Sequence, residues 1–186
     1  MTGLRITGGD LRGRRISAPS GNVRPTSGRA RQAFFNIVGA RIQDAVFLDL
    51  FAGSGVFSFE AVSRNARLAI AMDQSRKSVQ AIQRMAQEWD VPITAIAADA
   101  ILGLKRLDDS LDFGIVYADP PYAYPDYQLL VDALDSFPRM AVEAIVGIEH
   151  RKGPIPFDWQ RLRRLSLSRT VAYGDVAITF LEVAAA

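Results

Sequence analysis

Between residues 45 and 149 the chain alternates short, mostly apolar runs with longer stretches of helical spacing. Runs at Ala45–Leu50, Leu68–Met72, Ile93–Ala97, Phe113–Ala118 and Ala144–Glu149 predict five strands. Val56–Ser63, Ser75–Trp89, a short piece near Ala100–Leu107 and Tyr127–Phe137 predict the helices between them. Strands this apolar have no polar side to turn toward water. They imply a parallel sheet covered by helices on both faces, doubly wound through right-handed crossovers. The alternation then stops. Leu162–Tyr173 and Val176–Val183 flank Gly174-Asp175 with no helix between them, which predicts an antiparallel hairpin closing the sheet.

The beginning of the chain follows a different pattern. Leu4-Arg5-Ile6 and Arg14-Arg15-Ile16 can pair as a small hairpin around Gly8-Gly9-Asp10. Pro19, Gly21, Pro25 and Gly28 then interrupt regular structure. Residues 29–41 return to helical spacing, with Ala30, Phe34, Ile37 and Val38 on one side. The expected organisation is a basic extension over 1–28 and an α/β domain over 29–186.

Length supports this division, because 186 residues make one α/β domain and hardly two. The hydrophobic fraction of 49% supplies a sizeable core. No run of 18 apolar residues or apolar leader is seen, and there is no cysteine, so a cytoplasmic protein without a membrane span or disulfide framework is expected. Net charge is only +2, but it is unevenly placed. Arg5, Arg12, Arg14, Arg15, Arg24, Arg29 and Arg31 crowd the first segment, with Asp10 as the one acid among them. Arg161, Arg163, Arg164 and Arg169 form a second basic stretch. Arginine forks match phosphate geometry, so the asymmetry suggests a nucleic-acid partner as well as a solvated surface.

Two strand ends carry candidate chemistry. The first is Asp49-Leu50-Phe51-Ala52-Gly53-Ser54-Gly55. Gly53 and Gly55 let the backbone turn tightly and approach a ligand, and open α/β sheets bind ligands at the carboxyl ends of their strands. The dinucleotide fingerprint needs glycine or alanine at its third position, and this chain departs from it with Ser58. A carboxylate at Asp49 repels a pyrophosphate but suits the amino group of a methionine. S-adenosylmethionine has that amine and no phosphate. Asp73 ends the second strand at about the spacing, roughly 20 residues on, of a ribose-binding acid, with Gln74 beside it. Asp99-Ala100 follows the third strand, where an acid and an amide can read an adenine edge. A strand-end Asp also serves as a helix cap, and that reading stands beside the ligand one for each acid. The closing hairpin points the same way, since it is the usual outline of methyltransferases that use this cofactor.

The second strand end is Asp119-Pro120-Pro121-Tyr122. A purine amine is a poor nucleophile because its lone pair is delocalised into the ring, so holding it in line is much of the catalysis. Asp119 can accept one N–H and the Pro120 carbonyl the other. Pro121 keeps Pro120 out of helical geometry, and neither proline offers a donor. Tyr122 can stack on an extruded base. His150, the one histidine, and the two tryptophans, Trp89 and Trp159, read as packing residues, and no residue spacing suggests a metal site.

These residues resemble the RsmD family, which methylates guanine N2 in bacterial small-subunit ribosomal RNA. The resemblance runs through Arg5-Ile6, Gly8-Gly9, Arg12-Gly13-Arg14, Arg24-Pro25-Thr26, the helix start at Arg29–Asn36, the Asp49–Gly55 loop and Asp119–Tyr122. It implies cofactor contacts from Asp49, Gly53, Gly55, Asp73 and Asp99, and a target guanine held by Asp119, Pro120 and Tyr122. It also implies substrate RNA within an assembled or assembling small subunit; a monomer is expected. Adenine-N6 methylation of nucleic acid uses the same Asp-Pro-Pro-Tyr chemistry, and a non-catalytic RNA-binding assembly factor is a third alternative.

Overall fold

In the computed structural model the described residues are 4–16, 28–121 and 123–184. Arg24 and Tyr122 therefore lie outside them. The chain forms β1 (Leu4–Arg5), β2 (Arg15–Ile16), α1 (Gly28–Val38), β3 (Val46–Leu50), α2 (Val56–Ser63), β4 (Leu68–Asp73), α3 (Arg76–Trp89), β5 (Ile93–Ala97), α4 (Ala100–Leu104), β6 (Phe113–Ala118), α5 (Tyr127–Asp135), β7 (Met140–Arg151), β8 (Leu165–Tyr173) and β9 (Val176–Val183). Seven strands make one sheet in the order β5-β4-β3-β6-β7-β9-β8, and β1 pairs with β2 apart from it. The five strands β5, β4, β3, β6 and β7 run parallel, and β9 and β8 close the sheet antiparallel, as the sequence predicts.

Successive side chains of the central strands feed two separate cores. On β3, Phe47 faces α1 and α2 together with Phe34, Phe57, Ile115, Tyr117 and Phe180. Val46, Leu48 and Leu50 face the other side with Val116, Leu130, Val131 and Leu134 of β6 and α5. This period of two, apolar on both sides, is why the sequence of β3 and β6 shows a continuous run and not an alternation. The closing strand β8 differs: its exposed positions include Ser166, Ser168 and Thr170, as befits an edge.

Some ends depart from the sequence reading. The helix expected over 29–41 stops at Val38, because Gly39 takes φ 57° and a 3₁₀ turn, Gly39–Ile42, finishes the segment. The last hairpin begins at Leu165 and not at Leu162. The Asp135 carboxylate accepts the amides of Arg163, Arg164 and Leu165 at 2.8–2.9 Å, and a 3₁₀ turn at Trp159–Arg161 precedes them. Strand β7 is longer than expected at both ends; Glu143, with φ 59°, sits where its register with β6 shifts. Among the described residues no helix is long and apolar enough to cross a membrane.

Residues 4–16 pack tightly. Ile6, Leu11 and Ile16 are buried in the same core as Phe34 and Phe59. Gly9, at φ 74°, sits so close to α2 that a Cβ there would lie 1.6 Å from the Ser63 carbonyl oxygen. Ser63 completes the docking: its carbonyl accepts the Asp10 amide at 2.8 Å, and its hydroxyl accepts the Leu11 amide at 2.9 Å and donates to the Gly8 carbonyl at 2.6 Å.

Candidate active site

The two strand tips singled out by the sequence are neighbours. Strands β3 and β6 pair in parallel with Leu50 opposite Ala118, and the Asp119 amide donates to the Leu50 carbonyl at 3.3 Å. The loop after β3 is wound by left-handed residues: Phe51 at φ 63°, Gly53 at 54° and Gly55 at 75°. Gly55 is needed for a second reason, since a Cβ there would lie 2.8 Å from Ile82 Cγ1 of α3. The Ala52 amide donates to the Met72 carbonyl at 2.9 Å and the Gly55 amide to the Ala52 carbonyl at 2.7 Å, so the loop is held against β4.

The strand-end acids brace this loop. Asp73 accepts the Gly53 amide at 2.8 Å with one oxygen and the Ser75 amide at 2.8 Å with the other. Asp99 caps α4, taking the Ile101 and Leu102 amides at 2.9 Å each. Its second oxygen receives the Gln74 side chain at 2.8 Å, tying the tips of β4 and β5 together. Ala100 is buried behind it. The cap reading thus holds for Asp99.

Asp49 differs from the others. It is 2% exposed, and one carboxylate oxygen accepts the Ser58 hydroxyl at 2.6 Å and the Ser58 amide at 3.1 Å. Ser58, the residue that breaks the dinucleotide pattern, is therefore the partner of the first acid of the loop. Burial lifts the Asp49 carboxyl from its usual 3.8 to about 7; the Ser58 bonds oppose the shift, and the charges of Asp119 and Asp73 add to it. A carboxyl that holds its proton more tightly folded than unfolded gives its greatest support below about pH 4 and loses it as pH rises toward about 7. Asp49→Asn is expected to flatten that part of the stability profile. Urea midpoints taken across the interval measure it; an unchanged slope would assign the titration to another group.

On the β6 side, Asp119 is half-buried, Pro120 is buried and Pro121 is exposed. The Tyr124 amide closes a turn on the Pro121 carbonyl at 2.7 Å. Beneath Asp119, Tyr117 stacks on Phe57 of α2 with centroids 3.7 Å apart and planes 13° from parallel. Its hydroxyl donates to Glu149 Oε2 at 2.5 Å. Glu149 is 4% exposed and stands at the end of β7, one strand over from Asp119. Burial first, then the charges of Asp119, Glu149 and Asp49, push the Tyr117 hydroxyl well above the ordinary phenol range. Sequence reading passed over Tyr117, Glu149 and Ser58. Glu149 had a usable signal, an acid ending an apolar strand as Asp119 does.

His150 is a packing residue. Both ring nitrogens are engaged, by the Arg151 carbonyl and the Thr179 hydroxyl at 2.8 Å each, and burial lowers its pKa.

The basic residues divide into two groups. Arg5, Arg12, Arg14, Arg15 and Arg29 are exposed, with the Arg14 guanidinium 5.1 Å from the centre of the Trp89 ring. Trp89 ends the 14-residue α3, so Arg14 lies about 20 Å from the glycine loop, at the far end of the sheet. Arg161 instead pairs with Asp132 at 3.0 Å, and Arg164 donates to the Phe137 carbonyl at 2.7 Å, which joins α5 to β8. Arg31 is buried with Glu60.

Residues 4–182 match the family model described as conserved hypothetical protein 95. Ribosomal RNA small subunit methyltransferase D of Escherichia coli strain K12 is 32% identical over 176 residues, covering 91% of this chain and 87% of that protein. The protein of the same name from Haemophilus influenzae is 28% identical over 171 residues, 86% of each chain. Among solved structures, a hypothetical protein from Thermus thermophilus is similar with a TM-score of 0.81, 26% identity, and 97% and 99% of the two chains covered. The T. thermophilus 16S rRNA N2 G1207 methyltransferase, solved with AdoMet and guanosine, has a TM-score of 0.71 over 97% of this chain and 49% of that one. At 18% identity this is a likeness of fold.

Proposed function

This chain belongs to the RsmD family, described as conserved hypothetical protein 95, and on that premise we propose that it transfers a methyl group from S-adenosylmethionine to the exocyclic N2 of a guanine in small-subunit ribosomal RNA. The observation that carries the reading is the hydrogen bond from the Asp119 amide to the Leu50 carbonyl, which sets the acidic proline loop directly beside the glycine loop.

The residues fit the cofactor. Gly53 and Gly55, both left-handed, let the loop turn tightly enough to present its backbone to a ligand, and the missing side chain at Gly55 lets the loop lie against Ile82 of α3. Asp49 would meet the amino group of the methionine end, and that cation would favour the carboxylate form that burial disfavours. Asp73 with Gln74 lines the ribose side, and Asp99 with Ala100 the adenine side. When bound, the cofactor supplies an electrophilic methyl group on a sulfonium.

The chain's own residues then prepare the amine. Asp119 and the Pro120 carbonyl accept its two N–H groups and turn its lone pair outward. Pro121 keeps that carbonyl in place, and Tyr122 stacks on the base. Nitrogen becomes cationic as the new bond forms, so two acceptors aimed at it favour the transition state over the neutral amine. Asp119 or water then takes the departing proton.

Arg5, Arg12, Arg14, Arg15, Arg24 and Arg29 supply phosphate contacts, with 1–28 as the RNA-contacting extension of a monomeric cytoplasmic enzyme. The substrate is RNA in an assembled or assembling small subunit. Spacing of about 20 Å between Arg14 and the cofactor loop suits an RNA surface and not a single nucleoside. Replacing Arg12, Arg14 and Arg15 together is expected to weaken RNA binding and flatten the fall of affinity with salt, leaving cofactor affinity unchanged. An unaltered salt slope would put the RNA surface elsewhere.

The experiment that tests the function is mass mapping of methylated nucleosides in small-subunit RNA from cells with and without the protein. Loss of one N2-methylguanosine is the expected result. Loss of an N6-methyladenosine, or no change, would overturn the assignment.

A further inference from the structure

Tyr124 is not part of the acidic proline motif, yet it touches both loops. Its amide closes the turn on the Pro121 carbonyl at 2.7 Å. Its ring meets Phe51 of the glycine loop edge-on, with centroids 5.2 Å apart and planes at 75°. On its other side it meets Tyr127 at 5.6 Å and 84°. Partial burial, then the charges of Asp99 and Asp126, push its hydroxyl above the usual phenol range. Like any phenol, the hydroxyl is a neutral donor at physiological pH. Phe51, its partner, is a left-handed residue at φ 63° without being glycine, a conformation that persists only where the surroundings impose it.

We propose that Tyr124 belongs to two pockets at once: through Phe51 it closes one wall of the cofactor cradle, and through Pro121 it sets the loop that receives the target base. This inference rests on the methyltransferase reading. Its physical content is a coupling. A cofactor seated against the ring immobilises Tyr124, and the turn it closes is then already ordered when the base arrives. The second ligand meets a smaller ordering cost, and the reciprocal holds by linkage. Cofactor and RNA thus favour each other's binding, and the enzyme spends little time with RNA held at an empty cradle.

The test measures binding and needs no turnover. Affinity for under-methylated small subunits is measured with and without saturating S-adenosylhomocysteine, for the wild type, Tyr124→Phe, Tyr124→Ala and Phe51→Leu. In the wild type the cofactor product is expected to tighten RNA binding about tenfold, within the usual range of coupling between two sites. Tyr124→Phe keeps the ring and the turn, and retains that coupling while binding the product more weakly. Tyr124→Ala and Phe51→Leu bring it to within about twofold of none. Tyr124 is half-exposed, so the alanine variant is expected to fold, and its thermal melt verifies this. Full coupling in a folded Tyr124→Ala protein overturns the proposal, as does a wild type that binds both ligands independently. A wild type that binds no S-adenosylhomocysteine overturns the methyltransferase reading itself, and this inference with it.

Discussion

Asp119→Ala is expected to lower the methyl-transfer rate at saturating substrates about a thousandfold, the upper end of what losing one preorganised transition-state partner costs. The alanine removes an acceptor that grips the amine more strongly as it becomes cationic, so the loss falls on kcat and less on KM. Asp119→Asn keeps one acceptor oxygen in nearly the same place. Its expected loss is smaller, about tens of fold. Cofactor affinity, read by calorimetry, is expected to stay within about threefold in both variants, because the glycine loop is built on β3 and β4. Single-turnover transfer of labelled methyl to under-methylated small subunits measures the rate. A rate for Asp119→Ala within about threefold of wild type would show that the carboxylate has no part in the reaction.

Glu60→Ala is expected to destabilise the fold by about 3–5 kcal/mol, the usual cost of leaving a buried partner charge alone. Glu60 is fully buried on α2 and gathers four groups. It accepts the Thr7 amide at 2.9 Å and the Thr7 hydroxyl at 2.6 Å. It accepts Arg64 at 3.0 and 2.9 Å, and the Arg31 Nε at 3.3 Å. Arg31 is 2% exposed and donates also to the Arg5 carbonyl at 2.6 Å. Burial lowers the Arg31 pKa, and Glu60 opposes that shift. Without Glu60 the arginine charge keeps, among the described residues, the Arg5 carbonyl, and the β1–β2 hairpin loses its anchor at Thr7. The urea midpoint should fall, and limited proteolysis should cut within residues 4–16 first. A double variant, Arg31→Met with Glu60→Leu, removes both charges and is expected to recover most of the stability. Equal destabilisation in the double variant would mean that shape and not charge dominates at this position.

The same network explains how far the sequence could be read. The parallel character of the sheet, the closing hairpin and the glycine loop were all legible, because each is written locally. Apolar runs set by a period of two, glycines at turns and Gly174-Asp175 between two strands specify their structure over a few residues. The N-terminal arginines were legible as a cluster, but their division of labour was not. Arg31 has the same composition signal as Arg29, yet one is buried against Glu60 and the other is exposed. Only the docking of α1 onto α2 separates them.

The site divides in the same way. By itself the sequence determined that two acidic strand tips, one rich in glycine and one in proline, occupy a single parallel sheet, since backbone geometry follows residue type over short spans. Tertiary structure decided which acids face inward. It paired Asp49 with Ser58 nine positions on, Tyr117 with Glu149 thirty-two positions on, and Phe51 with Tyr124 across two loops. Those contacts join residues from different elements, and a side chain's burial, charge state and reach depend on neighbours that the chain brings together only when the sheet closes.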